Sequence, residues 1–322
     1  MLKIAYLVLA HHDPIHLERL VKAIDYKSHI FIHLDKKTNI DKYIHIANMN
    51  SVDFISERIK VYWGSISQVK AILNLIKAAL ASNENFSHLV LLSGSDYPIK
   101  PISIFYDFLQ SNPDREFIKL TDLNESPFPS KERLTNYWFM EPLQPFYNDR
   151  FLRQVLQKIF HLGVTKKPLN NVSPAWGSGN WVITSKCADF ILQYLKENPV
   201  FINFYKYAHG PDEHFFHTVV ANSPFLEKAG GFRDEIRWPH EVSNITLNFE
   251  GRIFVEDDYE FLEDLSLNRK PSEQRMSKEL CKLMDTSLIR GAFSYSDFFF
   301  ARKFTTEKSS SLLDLIDKNL LS

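Results

Sequence analysis

An α/β fold with a mostly parallel central sheet and helices on both faces is what this sequence predicts, on three observations. Residues 4–10, 30–34 and 88–92 are short, largely apolar runs of the length and composition of buried strands. Between them lie segments whose apolar residues recur at helical spacing. Strands alternating with helices favour parallel pairing, because each crossover helix returns the chain to the same sheet edge. Chemistry-bearing residues follow the strands directly, at the carboxyl ends where such sheets bind ligands.

Residues 4–10 form the first strand, closed by His11-His12-Asp13. In 16–23 and on to Ile24, Leu17, Leu20, Val21 and Ile24 share one helical face. The strand 30–34 leads into Asp35-Lys36-Lys37, and 52–55 and 61–63 read as short strands. Residues 67–81 carry a stripe of Val69, Ile72, Leu73, Ile76 and Leu80, with Ser65 or Ser67 able to cap the helix. After 88–92 comes Ser93-Gly94-Ser95-Asp96-Tyr97-Pro98. Further on, 116–120 reads as a strand, 127–133 as a loop entering a short helix, and 150–160 as a helix. A loop over 166–179 enters the strand 181–184, followed by a helix over 186–195. Residues 212–220 read as a short helix with Pro211 at its first turn, and 310–320 as a closing amphipathic helix. The polar segment 266–296 reads as an insertion.

A chain of 322 residues can bury a sizeable core as one domain. With 44% hydrophobic and 24% charged residues it has the composition of a folded globular protein, and its 26 phenylalanines are read as core packing. A net charge of −1 forecasts no global grip on nucleic acid, so any anionic partner must meet local positive charge. Cys187 and Cys281 have no metal-ligand spacing and read as reduced, buried thiols. No apolar stretch reaches the length of a membrane span. The expected compartment is the cytoplasm, with peripheral contact to a membrane surface still compatible.

Several chemistries lack their motifs. No GxGxxG, P-loop, CxxC pair, HExxH or GxSxG occurs. Two carboxylates after a buried strand could hold Mg²⁺ or Mn²⁺ against a diphosphate, yet Ser93-Gly94-Ser95-Asp96 offers one. Asp257-Asp258 reads as an acidic helix start that favours the dipole. No metal and no cofactor is therefore expected. Fixed positive charge is then needed elsewhere, and Phe300-Ala301-Arg302-Lys303-Phe304 sets two cations between aromatics. They read either as inward-held charges or as solvated charges beside a core strand. In Gly210-Pro211-Asp212-Glu213-His214 a carboxylate could deprotonate a hydroxyl or be an ordinary acidic first turn. Trp63, before Gly64-Ser65, could stack on a base or pack in the core, and His11 and His12 could contact substrate or simply end a strand.

Taken in order, these segments resemble the core-2/I-branching β-1,6-N-acetylglucosaminyltransferase family, which also includes peptide O-xylosyltransferases. The resemblance is carried by 5–12, Phe31-Ile32-His33-Leu34-Asp35-Lys36-Lys37, Val61-Tyr62-Trp63-Gly64-Ser65, and Leu91-Leu92-Ser93-Gly94-Ser95-Asp96-Tyr97-Pro98-Ile99. It continues through Gly177-Ser178-Gly179-Asn180-Trp181, Pro211-Asp212-Glu213-His214-Phe215-Phe216, Arg237-Trp238 and 300–304. It implies a GT-A type, Rossmann-like fold over 1–322, with a nucleotide-binding half to about residue 110 and an acceptor and catalytic half over 111–322. It also implies a UDP-sugar donor, inversion at the anomeric carbon and no metal.

By position, Glu213 matches the general base and Lys303 the lysine that neutralises the diphosphate. Asp35 and Trp63 match nucleoside contacts, with Ala10 near the uracil. Ser95, Asp96 and Arg302 are counted with the nucleotide-sugar site. Trp238 matches an aromatic acceptor contact, while Glu125, Lys131 and Arg133 lie where charged acceptor-binding residues occur, at a different spacing. A second diphosphate cation has three candidates: Arg252, Arg290 and Arg302. The resemblance implies a bacterial-type enzyme moving N-acetylglucosamine to a glycan or glycolipid acceptor in surface polysaccharide synthesis. Transfer of xylose or another UDP-linked sugar, metal-dependent sugar nucleotidyl transfer, and glycan binding without catalysis are the alternatives.

Overall fold

A computed structural model describes residues 3–124, 130–141, 151–152, 155, 165–167, 169, 171–229, 245–248, 252–280 and 298–322. In chain order the first elements are β1 (Lys3–Ala10), α1 (Pro14–Ile24), β2 (Ser28–Leu34), β3 (Val52–Phe54), α2 (Ile66–Ala81), β4 (Phe86–Ser93), β5 (Asp96–Pro98) and α3 (Ile102–Gln110). Then come β6 (Thr121–Asp122), α4 (Ser130–Thr135), β7 (Ala175–Trp176), β8 (Val182–Thr184), α5 (Ser185–Glu197), α6 (Pro199–Tyr205) and α7 (Phe215–Ala221). The last are β9 (Thr246–Asn248), α8 (Tyr259–Ser266), β10 (Phe300–Arg302) and α9 (Thr306–Asn319).

The main sheet has the order β3-β2-β1-β4-β8. β1 runs parallel to β2 and β4, β2 is parallel to β3, and β8 alone is antiparallel to β4. This is the mostly parallel α/β sheet that the alternating pattern predicts. A smaller sheet, β5-β10-β9, pairs Arg302 with Asp96 across its antiparallel edge.

Side chains alternate across each strand, so β1 feeds two cores. Ile4, Tyr6 and Val8 join Leu17, Leu20 and Val21 of α1, Phe105 and Leu109 of α3, and Leu312, Leu313 and Ile316 of α9. Ala5 and Leu7 join Val69, Ile72 and Ile76 of α2, Ile191 of α5, and Phe215, Phe216 and Val219 of α7. Each such buried side chain contributes roughly 1.5–3 kcal/mol. The phenylalanines are core residues as expected: Phe105, Phe254, Phe300 and Phe304 fill the first face, Phe201, Phe215 and Phe216 the second.

Local signals explain the element starts. Asp13 caps α1 through a bond from the His16 amide, with Pro14 in the first turn. Ser65 caps α2, and Ser67 bonds back to it. Several expectations need correction. Residues 61–63 form no strand; Val61 and Tyr62 spend their amides on Asp35 and Ser67 instead. In 116–120 only Phe117 bridges, to Val182. The helix expected from residue 212 breaks into a turn over Pro211–Glu213 and a helix from Phe215. The acidic helix start at Asp257-Asp258 is observed, and Asp258 within it is buried and takes Arg252 bidentately at 2.6 and 2.9 Å. Most of 150–160, and 281–296 of the expected insertion, lie outside the described residues. Among those residues no helix is long and apolar enough to cross a membrane.

Candidate active site

The parallel strands end together, and the loops that follow them carry the singled-out residues. After β2, the buried carboxylate of Asp35 accepts from the Lys37 amide at 2.8 Å and the Val61 amide at 3.3 Å, while Lys37 Nζ stands 3.2 Å away. Arg58 fixes this loop by donating to the carbonyls of Leu34, Asp35 and Thr38. Beside it, Ala10 ends β1 against Gly94, where an added Cβ would stand 3.2 Å from the Ala10 Cβ.

The β4 end carries fixed positive charge. Asp96 is fully buried; its Oδ2 accepts from the Ser93 amide at 2.9 Å and from Asn180 Nδ2 at 2.8 Å. Its Oδ1 stands 3.4 Å from Arg302 Nε, and Arg302 Nη1 donates to Asn180 Oδ1 at 3.0 Å. Burial pushes the Asp96 carboxyl up and the Arg302 charge pulls it back. The strand-end carboxylate therefore lies beneath the surface and orients Arg302. Ser95, also buried, accepts the Phe304 amide on its carbonyl and so ties this turn to the strand bearing the cations. Lys303 is half-buried, and its ammonium takes no hydrogen bond or ion pair among the described residues. Burial and the neighbouring Arg302 lower its pKa. Arg252 is spent on Asp258, and Arg290 lies outside the described residues.

Glu213 lies on the turn before α7. Its Oε2 accepts from Arg133 Nη1 at 2.9 Å and Trp176 Nε1 at 3.4 Å, and its Oε1 accepts from no described residue. Its carbonyl takes the Gly177 amide at 2.9 Å, which locks the turn to the loop before β8. Gly210 opens that turn at φ +59°, a conformation that favours glycine. Next to Glu213, Asp212 accepts from Gln68 Nε2 at 2.8 Å. Burial first, and the Glu213 charge second, push the Asp212 carboxyl up to about 7, while Arg302 and Arg133 pull it down. Asp212 also faces Gly179, whose neighbour Asn180 accepts from Arg302, so Glu213 and the cation pair are joined through adjoining residues.

Trp63 is 65% exposed, and its ring meets His209 edge-on at 5.6 Å. The Gly210 amide bonds to the Gly64 carbonyl at 3.0 Å, which sets Trp63 beside the Glu213 turn. Trp138 continues the row, 4.9 Å from His209. On α4, Arg133 reaches Glu213 whereas Lys131 turns to Asn124 at 3.4 Å. Glu125 and Trp238 lie outside the described residues. Sequence reasoning gave no role to Asn180, Asp212, Gln68 or Trp176. The segment Gly177-Ser178-Gly179-Asn180 was the available signal, since two glycines in four residues mark close backbone approach. Among the described residues no three metal-ligating side chains converge.

The fold is of the α/β class, with a mostly parallel sheet. The chain belongs to the Core-2/I-Branching enzyme family, whose sequence model matches residues 4–236. It is similar to xylosyltransferase 2 of Rattus norvegicus, with 28% identity over 236 residues, 70% of this chain and 25% of that protein. To xylosyltransferase 2 of Canis lupus familiaris it is 25% identical over 330 residues, 99% of this chain and 34% of that protein. The chain spans about a quarter to a third of the length of these curated relatives. Among solved structures, mouse xyloside xylosyltransferase 1 in its apo form aligns at a TM-score of 0.31 and 10% identity, covering 76% of this chain and 87% of that one.

Proposed function

We propose that this chain is an inverting, metal-independent glycosyltransferase that moves N-acetylglucosamine from a UDP-sugar to a hydroxyl of a glycan or glycolipid acceptor. The observation that carries the reading is the chain of neighbours from Glu213 to Arg302: Asp212 beside Glu213 faces Gly179, and Asn180 next to Gly179 accepts from Arg302, with the Glu213 Oε1 and the Lys303 ammonium unengaged among the described residues. In this reading Glu213 takes the proton of the acceptor hydroxyl as its oxygen attacks C1 of the donor sugar. The C1–oxygen bond to the diphosphate breaks on the opposite face, and its electron pair leaves with the UDP. Lys303 and Arg302 meet the charge that develops there, as preorganised charge in a water-poor site does most effectively. Arg133 and Trp176 fix Glu213 in place. Asp35, Trp63 and Ala10 receive the nucleoside, and Arg133 borders the acceptor side.

Metal independence is supported by the chemistry of the strand end. Its single carboxylate, Asp96, is buried and engaged by Arg302 and Asn180. The experiment is a UDP-release assay in the presence of EDTA. Wild-type protein turns over there, and Glu213→Gln loses about 100-fold or more, the usual share of a general base. Wild-type activity that vanishes with EDTA and returns with Mn²⁺ would refute the metal-free part. Near-wild-type turnover of a folded Glu213→Gln protein would refute the base. A second reading, transfer of xylose on the same scaffold, is favoured by the names of the relatives. Release of UDP from UDP-xylose in preference to UDP-N-acetylglucosamine would establish it.

A further inference from the structure

Transfer with inversion requires C1 of the donor to lie between the base and the diphosphate. The residue beneath that position should sense both ends. Asp212 does: it adjoins Glu213 in the chain, and its Oδ2 faces Gly179, next to the Asn180 that accepts from Arg302. It is also held from below, because Gln68, in the first turn of α2, donates to its Oδ2 at 2.8 Å. Its other oxygen takes no bond from another described residue. The space above it is open on the side of the loop before β8. Among the described residues other than its chain neighbours, a Cβ added at Gly179 would come within 4 Å of one atom, Asp212 Oδ2 at 3.3 Å, the oxygen that Gln68 also holds. The neighbour of Gly179, Asn180, is the residue that pins Arg302. A half-buried carboxylate with one engaged oxygen, bordering open space between base and cations, is arranged to bind hydroxyl groups.

We propose that Asp212, oriented by Gln68 and facing the space left by Gly179, hydrogen-bonds the ring hydroxyls of the transferred sugar and so sets which donor is used. The proposal rests on the UDP-sugar reading above and assigns the pyranose, as distinct from the nucleotide, to this carboxylate. A glycine at 179 follows from the same geometry: any side chain there would occupy the volume the sugar needs.

The test compares the dissociation constants of UDP and UDP-N-acetylglucosamine by calorimetry, in wild-type protein and in Asp212→Ala, Asp212→Asn and Gly179→Ala. Asp212→Ala is expected to weaken UDP-N-acetylglucosamine by about ten-fold or more, the worth of a hydrogen bond to a charged group. UDP alone should stay within about two-fold. Asp212→Asn, which keeps one acceptor, should fall between. Gly179→Ala, whose Cβ would press on Asp212 Oδ2, should likewise lose the sugar nucleotide and keep UDP. Equal weakening of both ligands would make Asp212 a structural residue and overturn the proposal, as would unchanged binding of both. Wild-type protein that binds neither UDP nor a UDP-sugar would overturn the donor reading itself, and this proposal with it. Wild-type that binds UDP but gains nothing from any attached sugar would overturn the proposal alone.

Discussion

At the scale of the residue, Gly177 shows how much of the site rests on backbone approach. A Cβ there would sit on the Lys119 carbonyl oxygen and 2.5 Å from His217 Cδ2, and both neighbours belong to packed structure. Its amide meanwhile donates to the Glu213 carbonyl. Gly177→Ala should therefore cost about 3 kcal/mol or more, the upper range of overpacking, and displace the turn that carries the base. A midpoint in urea unfolding equal to wild type would contradict this. The sequence flags the glycine, through Gly177-Ser178-Gly179, but not the reason for it, because Lys119 and His217 are distant in the chain. The same limit hides the Asp96–Asn180–Arg302 cluster: Asn180 lies 84 residues from Asp96 and 122 from Arg302. Glu213 was legible only as one acidic residue among others until the ordered segments were compared. Its partner Arg133 stands 80 residues earlier, on a helix whose pattern says nothing of a base.

At the scale of the element, periodicity served where burial is one-sided or complete. α1, α2 and α9 begin within about four residues of the positions their patterns predict. α3 went unread, since Ile102–Gln110 is so rich in apolar and aromatic residues that no polar face marks its period. The segment Val61–Trp63 misled because its amides bond to side chains of Asp35 and Ser67, a pattern that β-propensity cannot foresee. α7 carries a prediction of its own. His217 lies on it and His214 caps it, and both are fully buried. Burial pushes each imidazole down to about 3; for His214 the charges of His217 and Arg133 add to this. A histidine that titrates near 6.5 when unfolded and near 3 when folded excludes protons from the native state. Its contribution is present above about pH 6.5 and is lost as pH falls toward 3. The melting temperature should therefore drop between pH 7 and pH 5, and His214→Gln should flatten that slope. A wild-type melting temperature independent of pH over this interval would contradict the account.

At the scale of the whole molecule, the site is assembled from both ends of the chain. Asp35 and Asp96 come from the first hundred residues, Glu213 from the turn before α7 and the cations from 302 and 303, and the core on one sheet face joins β1 to α9. Asp13, the cap of α1, accepts the Thr306 amide at 2.7 Å and its hydroxyl at 2.6 Å, three residues beyond Lys303. Arg19 of α1 holds Asp314 and Asp317 of α9. The strand bearing Lys303 is thereby anchored without help from the Lys303 ammonium, which makes no bond or ion pair among the described residues. UDP should then bridge parts of the molecule that the fold already holds together, and stabilise it by mass action. At 100 times its dissociation constant it adds about 2.7 kcal/mol, a rise of about 5 °C in melting temperature for a chain of this size. Lys303→Met should melt with the wild type when no ligand is present, because only a ligand-facing charge is lost. It should fail to gain most of the UDP-dependent rise, because the diphosphate loses its unpaired cation. Thermal melts of both proteins with and without UDP read the two effects separately. A full UDP shift in Lys303→Met would remove this lysine from the diphosphate site, and a lowered melting temperature without ligand would show that the ammonium serves the fold instead.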